Sequence, residues 1–274
     1  MKEIAVLYSG GTDSTCAAAL AAEGFERIHL LTYSRFGIFC AEHTDVNAAK
    51  LRDKFGKDKF VHRVINIDRL FRETSYSGYM PALVKHGFFL LTTCGLCKLA
   101  MHIRTLAYCL DNKISCVCDG ANKNMDYSPD QMREFTEELK KLYSRYNIEY
   151  TTPVYEFSHP EDIGWLDKLG VPRLLDIKEK EGGADTTGDQ LFKMGIFPRR
   201  NMKGTKEDRG MQARCFQLVL SNIFANWLYI PGRGLEKYKE RCVGLYREKI
   251  AYFDGLISEY ARNKTKSKLN RWIN

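Results

Sequence analysis

Ser9-Gly10-Gly11-Thr12-Asp13-Ser14 decides the fold of this chain, because it joins an apolar run to a helical pattern. Ile4–Tyr8 precedes it and predicts a buried strand, while the alanine-rich Cys16–Glu23 follows it and predicts a helix. The two glycines allow a tight turn and a close approach of the backbone to a ligand. The N–H groups at the helix start favour phosphate, and the hydroxyls of Thr12 and Ser14 add donors. The stretch therefore predicts an anion-binding loop, although no Walker motif, G-x-x-x-x-G-K-S/T, occurs in the sequence.

The rest of the first half continues this alternation of strand and helix. Further apolar runs predict strands at Ile28–Tyr33, Phe60–Ile67 and Ile114–Cys118, and the short segment Glu149–Val154 is a candidate for one more strand. Helical patterns lie between them, at Asp45–Phe55, Cys97–Leu110 and 129–146. We therefore expect an α/β domain over residues 1–155, built on a doubly wound parallel sheet of about five strands.

The second half, residues 156–274, is expected to be a mostly helical and basic region. Helices are predicted at Pro160–Leu169, Arg209–Leu228 and Leu235–Tyr260. The stretch 178–210 is rich in Gly, Lys and Asp and has few apolar residues, which predicts a long mobile loop that acts as a lid. The polar tail, 262–274, is expected to be partly disordered.

A second glycine loop, Asp119-Gly120-Ala121-Asn122, ends the apolar run Ile114–Cys118. In open parallel sheets, ligands gather at the carboxyl ends of the strands. We therefore expect this loop and the Ser9–Ser14 loop to face one crevice.

Three motifs together give the chain a family resemblance. The S-G-G-x-D-S loop after an N-terminal strand resembles the PP-loop ATP pyrophosphatases, which belong to the HUP-like, adenine nucleotide α-hydrolase-like superfamily. Asp119–Asn122 with Asp126 resembles the G-x-N/H-x-x-D loop of that family. Cys94-Gly95-Leu96-Cys97 resembles the C-x-x-C of its sulfur transferases, including the tRNA 2-thiocytidine and 2-thiouridine synthetases. The resemblance covers roughly residues 1–130.

This resemblance implies a reaction and a site. Enzymes of the family cleave ATP between the α- and β-phosphates and leave AMP on the substrate. The nucleotide-binding residues are then expected to be Ser9, Gly10, Gly11, Thr12, Asp13, Ser14, Tyr33, Ser34, Gly120 and Asn122. Asp13 is also expected to help hold Mg²⁺. Lys98 or Lys123 is expected to stabilise the charge that develops on phosphate.

Cys94 and Cys97 have three alternative roles. In the first, they hold a 4Fe-4S cluster with a third cysteine, leaving one iron open for an extra sulfide. Family members place that third cysteine far downstream, and the resemblance makes Cys215 the first candidate and Cys242 the second.

The other two roles need no iron. In one, one of the two cysteines carries a persulfide and the other resolves it as a disulfide. The helix start and the positive charge of Lys98 would favour the thiolate form by lowering the thiol pKa. Alternatively, Cys94 and Cys97 would bind structural Zn²⁺ together with Cys116 and Cys118. The six histidines show no metal-binding spacing, and the role of Cys40 is left undecided.

The net charge of +8 is concentrated in the last third of the chain. Residues 199–274 hold 17 lysine and arginine residues and 7 acidic residues, which is +10 and leaves −2 for the remainder. This distribution favours a polyanionic partner such as tRNA, although a solvated helix face would have the same composition. No apolar stretch reaches membrane-spanning length, and Met1 leads directly into a strand. We therefore expect a cytoplasmic protein without a membrane contact. The sequence does not decide the oligomeric state, and a homodimer is one candidate.

The leading hypothesis is an ATP-dependent sulfur transferase that adenylates a carbonyl oxygen, on a tRNA base, and replaces that oxygen with sulfur. The alternative is a PP-loop ligase that forms an amide or amidine on a small molecule, with the cysteines as a structural metal site. A third hypothesis is a nucleotide-sensing or RNA-binding protein that holds ATP without turnover.

Overall fold

The computed structural model describes residues 2–86, 93–158, 183–202 and 205–273. Its strands are β1 Glu3–Leu7, β2 Arg27–Ser34, β3 Ile38–Phe39, β4 Phe60–Asn66, β5 Cys116–Asp119, β6 Glu149–Thr151 and β7 Arg214–Cys215. Its helices are α1 Thr12–Gly24, α2 Thr44–Phe55, α3 Asp68–Tyr76, α4 Tyr79–His86, α5 Cys94–Asn112, α6 Arg133–Ser144, α7 Thr187–Lys193, α8 Lys206–Arg209, α9 Phe216–Ile223, α10 Ile230–Arg233, α11 Leu235–Arg262 and α12 Asn270–Ile273. A π-helical stretch, Phe224–Tyr229, joins α9 to α10.

Five strands form one parallel sheet in the order β4-β2-β1-β5-β6. β1 lies at its centre, where Val6 is in register with Leu30 of β2 and with Cys118 of β5. The chain first builds outward from β1 to β4 and then returns to add β5 on the other side. Ligands of such sheets bind outside the carboxyl ends of the strands where this reversal occurs. The predicted doubly wound parallel sheet is confirmed, and its switch point lies between β1 and β5.

Side chains alternate between the two faces of β1, so the sheet carries one hydrophobic core on each face. Ala5 and Leu7 belong to the larger core, together with α3, α5, α6 and α11. Val6 and Tyr8 belong to the smaller core, together with α1, α2 and α7. Of the predicted apolar face of α5, Leu99, Ile103 and Leu106 are fully buried in the larger core, and Leu110 is partly buried against it.

The long C-terminal helix α11 packs directly on the sheet domain. Tyr238 and Phe253 of α11 lie in the same core as Leu99 of α5. The contact is so close that a Cβ atom on Gly95 would lie 1.8 Å from the Tyr246 hydroxyl. In the described part of the chain, the C-terminal region thus shares the core of the sheet, where the sequence suggested a separate region beginning at residue 156.

Two other expectations for the second half differ from the structure. Within the stretch 178–210, residues 187–193 and 206–209 are helical, and each helix is capped by the side chain of a preceding threonine, Thr186 or Thr205. Leu191 is buried against the smaller core, so this part packs as ordered structure instead of an irregular loop. The tail also packs, because Leu269 and Ile273 are buried in the larger core. The predicted helix Pro160–Leu169 lies outside the described residues.

Within the residues described, no helix combines the length and the apolar character that crossing a membrane would need.

Candidate functional site

The glycine loop, residues 9–14, lies at the carboxyl end of β1, at the switch point of the sheet. Gly10 has a φ of +76°, in the left-handed region that favours glycine. A Cβ atom on Gly10 would lie 2.4 Å from the carbonyl oxygen of Met211 and 2.8 Å from the Cα atom of Thr44. Both the backbone conformation and the space therefore require glycine at this position.

Hydrogen bonds from short polar side chains fix the shape of this loop. The backbone N–H of Ser9 donates to Ser14 Oγ at 3.2 Å, and Ser14 Oγ donates to the carbonyl of Gly11 at 3.1 Å. Asn47 of α2 donates to the carbonyl of Gly10 at 2.7 Å. The loop is thus preorganised by its own hydroxyl groups and by α2.

Two polar groups of the first turn of α1 stand out. Thr12 is 4% exposed, and its hydroxyl oxygen has no hydrogen-bond partner in the described part of the protein. Such an unpaired buried hydroxyl is costly and points to a ligand or water that completes it. Asp13 is half-buried, and its Oδ1 accepts a hydrogen bond of 2.5 Å from Thr187 of α7.

The two glycines of the loop are covered by protein. Gly10 and Gly11 are buried, and the Gln212 side chain lies over Gly11, where a Cβ atom would be 2.8 Å from its Oε1. Ala213 N–H also donates to the carbonyl of Ser9 at 3.3 Å. The open crevice expected at these glycines is therefore closed in this structure by residues 211–213, while Ser9 is exposed.

The second glycine loop contacts the first. A Cβ atom on Gly120 would lie 2.5 Å from the backbone nitrogen of Ser14, so glycine allows the loop after β5 to touch the start of α1. Asn122 is 3% exposed and is occupied within its own loop, where its Oδ1 accepts from Asn124 N–H at 3.0 Å. The structure thus brings Gly120 to the candidate phosphate site and gives Asn122 a role in holding the loop.

A buried ion pair joins the second loop to α5. Lys98 Nζ lies 2.6 Å from Oδ2 of Asp119, which is fully buried and also accepts from the Tyr150 hydroxyl at 2.9 Å. Although burial opposes it, the positive charge of Lys98 holds the pKa of Asp119 well below its usual range. The ammonium of Lys98 is therefore engaged by Asp119. The ammonium of Lys123 lies 3.1 Å from a carboxylate oxygen of the exposed Glu156.

His102 makes the stability of this region depend on pH. Its ring is fully buried, 3.7 Å from Asp119, and its Nδ1 lies 3.0 Å from the Tyr143 hydroxyl. Burial, with a contribution from Lys98, lowers the pKa of His102 to about 4. The unfolded chain, with a histidine pKa of about 6.5, binds this proton first as the pH falls, so the free energy of unfolding decreases. We expect the titration of His102 to lower the free energy of unfolding by about 2 kcal/mol between pH 7 and pH 5.

Urea denaturation at both pH values, on the protein and on His102→Gln, measures this contribution. The absolute stability of the variant is not the readout, because removal of the ring also changes packing. Between pH 7 and pH 5, the free energy of unfolding should fall by about 2 kcal/mol less in the variant than in the unchanged protein. Equal decreases would show that His102 does not titrate in this range.

Cys97 and Cys215 contact one buried arginine, and Cys94 lies nearby, against Gln217. Arg35 follows β2, is 5% exposed, and donates from Nε to Cys97 Sγ at 2.9 Å and from Nη2 to Cys215 Sγ at 3.5 Å. Cys94 begins α5 one helical turn before Cys97, and its thiol donates to the Ser221 hydroxyl of α9 at 3.1 Å. The fold thus brings these distant cysteines to one place beside the carboxyl end of β2.

Burial raises the pKa values of the Cys94 and Cys97 thiols. Burial, opposed by the charge of Arg35, raises the pKa of Cys97 to about 11. Burial, aided by the negative charge of Asp130, raises the pKa of Cys94 well above its usual range. The expected lowering of these pKa values at the helix start is therefore outweighed by desolvation, and the neighbouring cation is Arg35 instead of Lys98.

The alternative zinc site of four cysteines does not form. Cys97 lies in the larger core, whereas Cys118 lies in the smaller core with Cys116 packed beside it, so the two pairs are on opposite faces of the sheet. Cys242 is fully buried between Tyr238 and Tyr246 of α11, and burial raises the pKa of its thiol. The structure therefore brings Cys215, and not Cys242, to the C-x-x-C motif.

Tyr33 does not present its side chain to a nucleotide at the loop. It is buried in the larger core, and its hydroxyl lies 2.6 Å from Thr105 Oγ1. Ser34 is half-buried, and its carbonyl accepts a hydrogen bond of 2.9 Å from Ile67 N–H. Any contact of these two residues with adenine therefore remains a prediction, and for Tyr33 it is limited to the backbone.

Sequence reasoning missed Arg35, Gln212 and Gln217. Gln217 accepts from Arg35 Nη2 at 2.8 Å and so holds the guanidinium against the cysteines. No local pattern marks these residues, because their partners are far away in the sequence. The one available signal is a charged residue, Arg35, directly after the apolar strand Ile28–Tyr33.

One short segment links the glycine loop to the cysteines. Residues 211–213 lie on the loop, and the next two residues form β7, in which Cys215 is in register with Ile38 of the antiparallel strand β3. Ala213, which donates a hydrogen bond to Ser9 of the glycine loop, is therefore only two residues before Cys215 in the chain.

Comparisons with known proteins give one family and several distant structures. A family model described as a family of unknown function (DUF7411) matches residues 1–206. A search of curated proteins found no match.

Two solved structures illustrate the structural likeness. One is a predicted subunit of tRNA methyltransferase from Methanocaldococcus jannaschii DSM, 22% identical, which covers 79% of this chain and 97% of its own with a TM-score of 0.37. The other is the U34-tRNA thiolase NcsA from Methanococcus maripaludis with its 4Fe-4S cluster, 14% identical, which covers 90% of this chain and 72% of its own with a TM-score of 0.39. At these identities and TM-scores, neither likeness assigns a function to this chain.

Proposed function

The chain belongs to DUF7411, a family of unknown function, and we propose that it is a PP-loop ATP-dependent sulfur transferase that acts on a tRNA base. Its main support is one structural arrangement: the glycine loop at the switch point and the cysteines around Arg35 are joined by residues 211–215. A site that activates an oxygen with ATP and a site that holds sulfur would then lie on the same edge of the sheet.

The nucleotide end consists of the glycine loop and the start of α1. Backbone N–H groups of the first turn and the unpaired hydroxyl of Thr12 fit the oxygens of a phosphate. Asp13 would hold Mg²⁺, which neutralises the leaving pyrophosphate. Entry of the triphosphate requires residues 211–213 to move off Gly10 and Gly11, because their carbonyl and amide groups occupy the space above the glycines.

The sulfur end consists of Cys94, Cys97 and Cys215. These three thiols share the surroundings of Arg35 and Gln217, and they would serve as the three protein ligands of a 4Fe-4S cluster, which supplies an open iron for sulfide when it is bound. Arg35 would offset the negative charge of the thiolates, since it already donates to two of the three sulfurs. Its guanidinium also stacks 3.9 Å from the ring centroid of Phe71, which fixes its orientation.

The reaction has two displacements. The carbonyl oxygen of the substrate attacks the α-phosphorus of ATP, and the bond to the pyrophosphate oxygen breaks. A sulfide equivalent then attacks the activated carbon, and AMP leaves with the former carbonyl oxygen. The helix start of α1 would stabilise the charge that develops on phosphate in the first step.

A nucleic-acid base is the substrate class that the surroundings favour. Phe36 and Phe216, which directly follow Arg35 and Cys215, are 83% and 63% exposed, and exposed aromatic rings stack on unpaired bases. Exposed basic residues of the C-terminal region would bind phosphates, and they include Arg233, Lys237, Arg241, Arg262, Lys266, Lys268 and Arg271.

Product analysis tests this proposal. The purified protein, incubated with ATP, Mg²⁺ and bulk tRNA, should release AMP and pyrophosphate, and nucleosides from cells that lack the protein should lack one thiolated base. Release of ADP and phosphate, or the absence of turnover, would contradict ATP pyrophosphatase chemistry. AMP release with an unchanged set of thiolated nucleosides would support the amide- or amidine-forming ligase instead.

A further inference from the structure

A group of potential metal ligands lies outside both parts of the proposed site. Cys40, Glu42 and His43 each offer one ligand atom, and these three atoms all lie within 4.8 Å of one another. Cys40 and His43 are half-buried, and Glu42 is exposed. None of the residues assigned to the proposed nucleotide and sulfur sites belongs to this group.

The local backbone brings these side chains together. Cys40 follows β3 with a φ of +59°, and a 3-10 turn over Ala41–His43 comes next. The N–H of His43 donates to the carbonyl of Cys40 at 3.1 Å, and the hydroxyl of Thr44 donates to the carbonyl of Ala41 at 2.7 Å. The left-handed conformation at Cys40 would cost less with glycine, so the cysteine is held there against a backbone preference.

His43 provides an independent indication of a ligand. Its Nδ1 is buried and has no hydrogen-bond partner among the described residues. A buried ring nitrogen that lacks a partner is destabilising, and a metal ion is one of the groups that satisfy it.

The chemistry of the three ligands selects the metal. A thiolate, an imidazole and a carboxylate suit Zn²⁺, whereas Mg²⁺ and Ca²⁺ require oxygen ligands alone. A tetrahedral zinc ion with bonds of about 2.0 to 2.3 Å holds its ligand atoms about 3.3 to 3.8 Å apart, so small side-chain movements complete the site. Three protein ligands leave the fourth position open, as in zinc sites that bind water or substrate.

We propose that Cys40, Glu42 and His43 form a site for a single zinc ion with one open coordination position. The site goes beyond the proposed sulfur transfer, because it uses none of Cys94, Cys97 and Cys215. It lies next to the glycine loop, since Thr44, the residue after His43, contacts Gly10.

Zinc binding to the chain of 274 residues tests the site. Metal-free protein is titrated with Zn²⁺ in competition with a chromophoric chelator, and bound zinc is counted after gel filtration. The first variant is Cys40→Gly, which removes the thiol and suits the left-handed backbone, so its metal-free melting temperature should not fall. The second is His43→Gln. Each should weaken zinc binding by about 10-fold or more.

A matched variant separates this site from the other cysteines. Replacing Cys94, Cys97 and Cys215 together by serine should leave one zinc ion bound per chain with unchanged affinity. With Co²⁺ in place of zinc, a thiolate charge-transfer band should appear in this triple variant and be lost in Cys40→Gly. Unchanged zinc affinity in Cys40→Gly and His43→Gln would overturn the proposal, and so would loss of the ion in the triple variant.

Discussion

Replacing Asp13 by alanine is expected to abolish the formation of AMP and pyrophosphate, with a rate decrease of about 1,000-fold or more. Asp13 lies in the first turn of α1, beside the glycines that would hold the triphosphate. Without its carboxylate, Mg²⁺ would lose its protein ligand at the leaving pyrophosphate, where charge increases most in the transition state. Pyrophosphate release from ATP and tRNA at saturating Mg²⁺ measures the effect.

A matched control lies on the same helix. Glu23→Ala removes an exposed carboxylate from the last turn of α1, far from the glycine loop, and should retain full activity. Thr187→Val removes the hydroxyl that donates to Asp13 and leaves its carboxylate in place, so it should have a smaller effect than Asp13→Ala. Wild-type rates for Asp13→Ala would exclude Asp13 from metal binding and would weaken the assignment of the glycine loop.

Replacing Cys97 by serine is expected to preserve AMP release and to abolish sulfur transfer. A serine hydroxyl can still accept the hydrogen bond that Arg35 donates to this position, so the surroundings should keep their arrangement. The hydroxyl does not ionise near neutral pH and does not replace a thiolate as a ligand to iron or as a carrier of sulfur. Adenylation should therefore change by less than about 3-fold, while thiolated product should fall by about 100-fold or more.

Both products must be measured on the same sample, pyrophosphate by a coupled assay and the thiolated nucleoside by mass spectrometry. Cys116→Ser is the matched control, because Cys116 is half-exposed and lies on the opposite face of the sheet from Cys97. It should retain both activities. Sulfur transfer by Cys97→Ser at the wild-type rate would rule out the C-x-x-C motif as the sulfur site.

The fold could be predicted from the sequence because its determinants are local. Each buried strand is a short apolar run, and the glycine loop marks the point where the first strand turns into a helix. The boundary of α5 differs by three residues, since it begins at Cys94 instead of Cys97. The predicted helix Arg209–Leu228 differs more, because Arg214–Cys215 is a strand and α9 begins only at Phe216. The short helices α7 and α8 were missed because their signals are single threonine caps inside a polar stretch.

The candidate site could be predicted only in part. The glycine loop and the C-x-x-C motif are contiguous in the sequence, and Cys215 was named from the family resemblance. The closure of the loop by residues 211–213 and the position of Arg35 depend on contacts between residues about 180 to 200 positions apart. Such contacts are set by how the sheet and its helices pack, and no local pattern encodes them.

The segment that covers Gly10 and Gly11 has a mechanical consequence for inhibitors. Ala213 and Cys215 are at most about 7 Å apart along the chain, so a molecule that lifts one displaces the other. A compound bound above Gly10 and Gly11 would therefore also displace the sulfur of Cys215 without contacting Cys215. Conversely, alkylation of Cys215 should change the affinity of the glycine loop for nucleotide.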